Sequence, residues 1–167
     1  MSRSSLLVKP AFHTAPSWSK TLGPEVGDLA RLANFGPDPE QELALDEIFA
    51  FDAQGHSAAV EVGVSACRQN LKTGLFKQAA LGWLYLTDQR LVVWSAHEFR
   101  TAQEAFRDMT ELIESCPELD RRVKNIYRGN GDEAIELLGG QRLIFKARTE
   151  GGGRGLSGDK VVLDEAF

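Results

Sequence analysis

The run Val161-Val162-Leu163, followed at once by Asp164-Glu165, constrains this chain more than any other feature. A short β-branched and apolar run that ends in two carboxylates reads as a buried parallel strand, one that delivers both acids to the carboxyl edge of a sheet. Buried parallel strands need neighbours joined to them by crossover connections, most often helices. The upstream chain must therefore supply strands and helices in alternation.

That alternation is legible. Residues 1–36 are rich in Ser, Pro and Gly and read as an arm or lead-in, with a short helix from Glu25 to Ala33. After the Pro37-Asp38-Pro39 punctuation, Glu40 to Phe51 reads as an amphipathic helix with Leu43, Leu45, Ile48 and Phe49 as its apolar positions. Ser57 to Val64 reads as a strand. Lys72 to Leu86, apolar nearly all round, suits a central helix packed on a sheet. Arg90 to Ser95 is a second buried strand, and Thr101 to Ser115 a helix with Ala105, Phe106, Met109, Leu112 and Ile113 inward. This order implies right-handed crossovers in a parallel sheet. From Val123 to Ala147 the texture changes to short strands broken by Asn130-Gly131 and Gly139-Gly140, both good hairpin signals. Residues 148–159 form a Gly-rich loop that leads into the acidic strand.

Composition narrows the class. With 167 residues, 43% hydrophobic and 26% charged, the chain has the make-up of an ordinary globular domain with a real core. A net charge of -5 gives no overall basic footprint for nucleic acid, although Arg121, Arg122, Lys124 and Arg128 form one local basic cluster and Arg142, Lys146, Arg148 and Arg154 another. Two cysteines are too few for a disulfide scaffold and fit a reducing compartment. No apolar run approaches the ~18 residues of a membrane span. His13, His56 and His97 are scattered, without metal-ligand spacing.

The segment Ser65-Ala66-Cys67-Arg68-Gln69-Asn70-Leu71-Lys72-Thr73 lies between an expected strand and an expected helix, the context a phosphate loop requires. Lys72 would reach the β- and γ-phosphates and Thr73 would ligate Mg²⁺. Of the pattern G-x-x-x-x-G-K-[ST] only Lys-Thr survives, with Ala66 and Leu71 at the glycine positions. A leucine at 71 costs little if its backbone is helical and is strained if it needs a positive φ. Lys-Thr opening a helix and Asp-Glu closing a buried strand, in that order, form a nucleotide-binding pair. In it, Asp164 would hold Mg²⁺ and Glu165 would polarise the attacking water.

At these two segments the chain resembles the N-terminal ATPase portion of phage terminase large subunits, the motors that package DNA into procapsids. That family tends to use a deviant phosphate loop like Arg68-Gln69-Asn70-Leu71-Lys72-Thr73. Pro39-Glu40-Gln41-Glu42 resembles the place of the family's adenine-contacting glutamine. Trp94 to Phe99 and Thr101 to Phe106 resemble the strand-to-helix segment that follows the phosphate-loop helix. Arg148 to Asp159 resembles the loop before the acidic strand. The match spans roughly residues 37 to 167.

The resemblance implies an α/β fold of the P-loop (ASCE or RecA-like) ATPase type, with a mainly parallel central sheet sandwiched by helices and a β-hairpin insertion. It also implies that the domain is incomplete after the Walker B strand. Residues 1–36 would be the arm and 37–167 a partial motor domain, with the nuclease domain absent. It implies ATP and Mg²⁺ as cofactors. Gln41, Arg68, Gln69, Asn70, Lys72 and Thr73 would contact nucleotide, and Thr73 and Asp164 would hold the metal. Glu165 would be catalytic, and Arg154 would act as an arginine finger in a neighbouring subunit, with Arg148 its competitor for that role. The implied partners are double-stranded DNA, the portal protein, the small terminase subunit and copies of the chain in a ring, without a membrane and in the cytoplasm of a phage's host. A chain stopping at Phe167 is expected to bind nucleotide weakly and turn it over poorly by itself. Two other readings stay open: a helicase-like DNA-dependent ATPase, in which Asp164-Glu165-Ala166-Phe167 resembles a DEAD/DEAH box, and an inactive truncated remnant.

Overall fold

The computed structural model describes residues 10–66, 69–129, 131–148 and 157–164, with backbone alone at Gln69, Asn70 and Leu71. The described residues fall into two compact units. One comprises the chain up to Arg31 together with Phe35–Ala79; the other comprises Leu32–Asn34 and the chain from Ala80 onward.

The first unit holds β1 (Lys20–Thr21), α1 (Gly23–Leu32, to Arg31), α2 (Pro39–Ile48), β2 (Ala50–Phe51) and the first part of α3 (Gln69–Leu86). Helix α2 starts where Pro37-Asp38-Pro39 suggests. Asp38 is its N-cap, Pro39 occupies the first turn, and Asp38 and Gln41 form a reciprocal capping box. The helix stops at Ile48 rather than running on to Phe51, because Ala50 and Phe51 pair antiparallel with Lys20 and Thr21. Val26, Ala30, Leu45, Phe49, Leu75 and Ala79 are buried in this unit.

One expected element is absent. Ser57 makes an isolated bridge to Phe51, and residues 58–66 form no strand. Val60 is fully exposed. An apolar run becomes a strand only where a neighbour takes up its N–H and C=O groups; here the Ala58 N–H reaches Ala50 O at 2.9 Å, and no described strand pairs with 59–66.

The second unit is built on a five-stranded sheet in the order β4-β5-β6-β3-β7, from β3 (Leu91–Ala96), β4 (Val123–Tyr127), β5 (Ala134–Leu137), β6 (Arg142–Ala147) and β7 (Lys160–Leu163). Strand β3 is parallel to β6 and to β7, whereas β4-β5 and β5-β6 are antiparallel. The sheet is thus mixed, and the expectation of a mainly parallel one holds only for the half that carries β7. The reason is local: Gly140, at φ 89°, turns the chain so tightly that β5 and β6 can only run antiparallel. Gly131 has the same φ of 89° just before β5.

Helix α4 (Phe99–Glu114) buries Ala102, Ala105, Phe106, Met109, Thr110 and Ile113, a stripe at helical spacing. Phe106 meets Phe145 of β6 edge-on at 5.4 Å, and Phe145 lies 6.0 Å from the Trp94 ring of β3. The short α5 (Pro117–Asp120) follows, and its Leu119 is buried.

Candidate functional site

The residues singled out by sequence divide between the two units, with Lys72, Thr73 and Gln41 in the first and Asp164 in the second. Helix α3 begins at Gln69, so Lys72 and Thr73 sit in its opening turns and are half-buried. The N–H groups of a helix's first turn have no intrahelical acceptor and attract anions. Leu71 lies inside this helix. Among the described residues Asn34 alone of the non-glycines has a positive φ, so the strain argument against leucine at a phosphate loop does not apply.

Gln41 is buried, at 7% exposure, and tied to its own unit. Its Oε1 accepts the Asp38 backbone N–H at 3.0 Å and Nε2 of Gln78, on α3, at 3.1 Å. Its Nε2 occupies the place where a side chain at Gly74 would begin: a Cβ built there would stand 2.5 Å away. Gln41 therefore joins the start of α2 to the turn of α3 that directly follows Lys72-Thr73. Neither Gln78 nor Gly74 was singled out by sequence. The readable signal was the glycine itself, since glycine in a helix interior is unfavourable by about 1 kcal/mol and marks a close approach.

In the second unit β7 is fastened at both ends. At its start, Oδ2 of Asp159 accepts the backbone N–H groups of Arg90 at 2.6 Å and Leu91 at 2.9 Å. At its end, the Asp164 N–H donates to the Ser95 carbonyl at 2.8 Å, extending the parallel ladder by one residue. Arg148, just past β6, spans the same place. Its backbone N–H donates to Ala96 O at 2.8 Å, Nη1 to Ser95 O at 3.1 Å and Nη2 to Asp164 O at 2.6 Å. The guanidinium proposed from sequence as a rival arginine finger is thus engaged within its own chain. Asp164 is half-buried at the strand end.

Arg68, Arg154 and Glu165 lie outside the described residues, as do the side chains of Gln69 and Asn70. Among the described residues no group of three or more His, Cys, Asp or Glu could hold a metal ion. No helix among the described residues is long and apolar enough to cross a membrane.

No protein-family model matches the chain, and no curated protein matches it. A solved structure does: the large terminase of bacteriophage HK97, at a TM-score of 0.67 with 21% identity over 87% of this chain. The chain spans 31% of that terminase's length. The fold of this chain is therefore that of part of a phage large terminase.

Proposed function

We propose that this chain is the ATPase portion of a phage terminase large subunit, which powers translocation of viral DNA into the procapsid. The likeness to the HK97 large terminase carries the reading. Two local features support it: Lys72 and Thr73 in the opening turns of α3, and Asp164 at the carboxyl end of β7. In this reading Lys72 binds the β- and γ-phosphates of ATP, with Arg68, Gln69 and Asn70 beside it. Thr73 and Asp164 hold Mg²⁺, Glu165 orients the attacking water, and Arg154 completes the site of the next subunit in a ring. When bound, Mg²⁺ would neutralise charge developing on the β- and γ-phosphate oxygens. Gln41 would read adenine, and to do so with its oxygen it must exchange the bond from Gln78. Duplex DNA, the portal protein and the small terminase subunit are the partners this function requires, in a host cell's cytoplasm.

A second reading, a non-catalytic remnant of such a motor, draws on one observation: residues 58–66, ahead of α3, are not a strand. Titration with a fluorescent ATP analogue separates the two. The motor reading expects Mg²⁺-dependent binding that Lys72→Ala abolishes and Asp164→Asn reduces only when Mg²⁺ is present. Equal binding by wild type and Lys72→Ala, or none by either, would leave the remnant.

A further inference from the structure

We propose that Arg148 is a positioning residue for the acidic end of β7, a role that rests on the ATPase reading for its consequence but not for its geometry. Three donors of this one residue converge on two strand ends. The backbone N–H and Nη1 hold β3 at Ala96 and Ser95, and Nη2 holds the Asp164 carbonyl. Ser95 O receives both the Asp164 N–H and Arg148 Nη1, so the two strand ends and the guanidinium form one closed set of bonds. Beyond Leu163 the regular pairing of β7 with β3 ends. There the Asp164 N–H keeps a ladder bond to Ser95 O, and the Arg148 fork takes the Asp164 carbonyl. A planar guanidinium with fixed donor directions can hold two carbonyls in one orientation, which a lysine ammonium cannot. Fixing the Asp164 peptide on both its N–H and its C=O side fixes where its side chain leaves the backbone. Arg148 is also the first residue of the connection from β6 to β7. The residue that opens that connection therefore also holds the backbone carbonyl of Asp164. Groups that orient a metal ligand in this way alter metal affinity about 10- to 100-fold when removed.

Arg148→Gln and Arg148→Lys in the full chain test this with two readouts. The first is hydrogen exchange at the Asp164 amide, followed beside the amides of α4. We expect Arg148→Gln to speed exchange at Asp164 about tenfold, the effect of losing one or two such bonds, with α4 unchanged. The second is the ratio of fluorescent ATP-analogue affinity with Mg²⁺ to that with a chelator. Both variants should lower this ratio about tenfold and leave the chelator value as in wild type. Unchanged exchange at Asp164, equal acceleration throughout α4, or an Arg148→Lys protein indistinguishable from wild type would each overturn the inference. Faster exchange at Asp164 in a chain that binds no nucleotide would uphold the clamp and refute the ATPase reading instead.

Discussion

Replacing Gly74 by alanine sets two effects of known size against each other. In a helix interior Ala is favoured over Gly by about 1 kcal/mol, and on that ground alone the substitution stabilises α3. The new Cβ would stand 2.5 Å from Gln41 Nε2, so Gln41 must withdraw. That side chain is 7% exposed and its Oε1 accepts from Asp38 and Gln78. Losing the capping-box bond costs about 1 kcal/mol, and losing the Gln78 bond costs about another 1. Gln78 itself is buried, its Oε1 already lacks a partner, and its remaining Nε2 bond to Phe35 O is 3.3 Å long. The expected net is a destabilisation of about 1 kcal/mol. Urea denaturation of wild type, Gly74→Ala, Gln41→Ala and the double variant separates the terms. With Gln41 truncated, Gly74→Ala should stabilise by about 1 kcal/mol, so the sign reverses between backgrounds and the coupling is about 2 kcal/mol. A stabilising Gly74→Ala in the wild-type background, or the same effect in both, would refute the Gln41–Gly74 lock.

Other perturbations follow from the same geometry. Gly158→Ala places a Cβ 2.7 Å from Val93 Cγ2 and 3.1 Å from Leu91 O, and should cost about 1–3 kcal/mol in denaturant; a neutral variant would contradict the close approach of the chain to β3 there. Burial, with Glu47, Glu42 and Glu25 nearby, holds the Asp46 carboxyl above its usual range. Its ionised form therefore weakens the fold at neutral pH, and acidification through its folded pKa toward the ordinary carboxylate range recovers that stability. Asp46→Asn should raise the unfolding midpoint at neutral pH and remove that share of the pH dependence; a lowered midpoint would reverse the sign argued here. Burial likewise pushes the Tyr85 phenol well above its usual value, so it stays a donor to Leu119 O at 3.2 Å. Tyr85→Phe should cost about 1 kcal/mol by thermal or urea unfolding, and an unchanged midpoint would show that this bond contributes nothing.

Much of the fold could be read from pattern because the pattern is local. The Leu91–Ala96 strand and the Phe99–Glu114 helix carry their burial in their own periodicity. The antiparallel turn before β6 is written in Gly139-Gly140, where the second glycine takes a positive φ. The strand expected over residues 57–64 misled for the opposite reason. Their apolar character is local, but a strand is a property of two segments, and past Ser57 and Ala58 no described strand pairs with them. The site shows the same division. Lys72-Thr73 at a helix start and Asp164 at a strand end follow from neighbouring residues. The fastening of β7 by Arg148 and Asp159 joins residues 53 and 69 positions from their partners in β3 and at its edge. Nothing in either residue's own neighbourhood announces it. Gln41 was legible as a residue of interest beside a helix start, but its bonds to Gln78 and its contact with Gly74 depend on how α3 lies in the first unit.

A crystal structure of the chain grown with Mg²⁺ and ATPγS tests the nucleotide reading most directly. The expected result is a triphosphate at the N-terminus of α3, with Lys72 Nζ on its phosphates and the Asp164 carboxylate in the shell of the metal, directly or through water. Nucleotide seated away from α3, or none bound at saturating Mg²⁺, would contradict it.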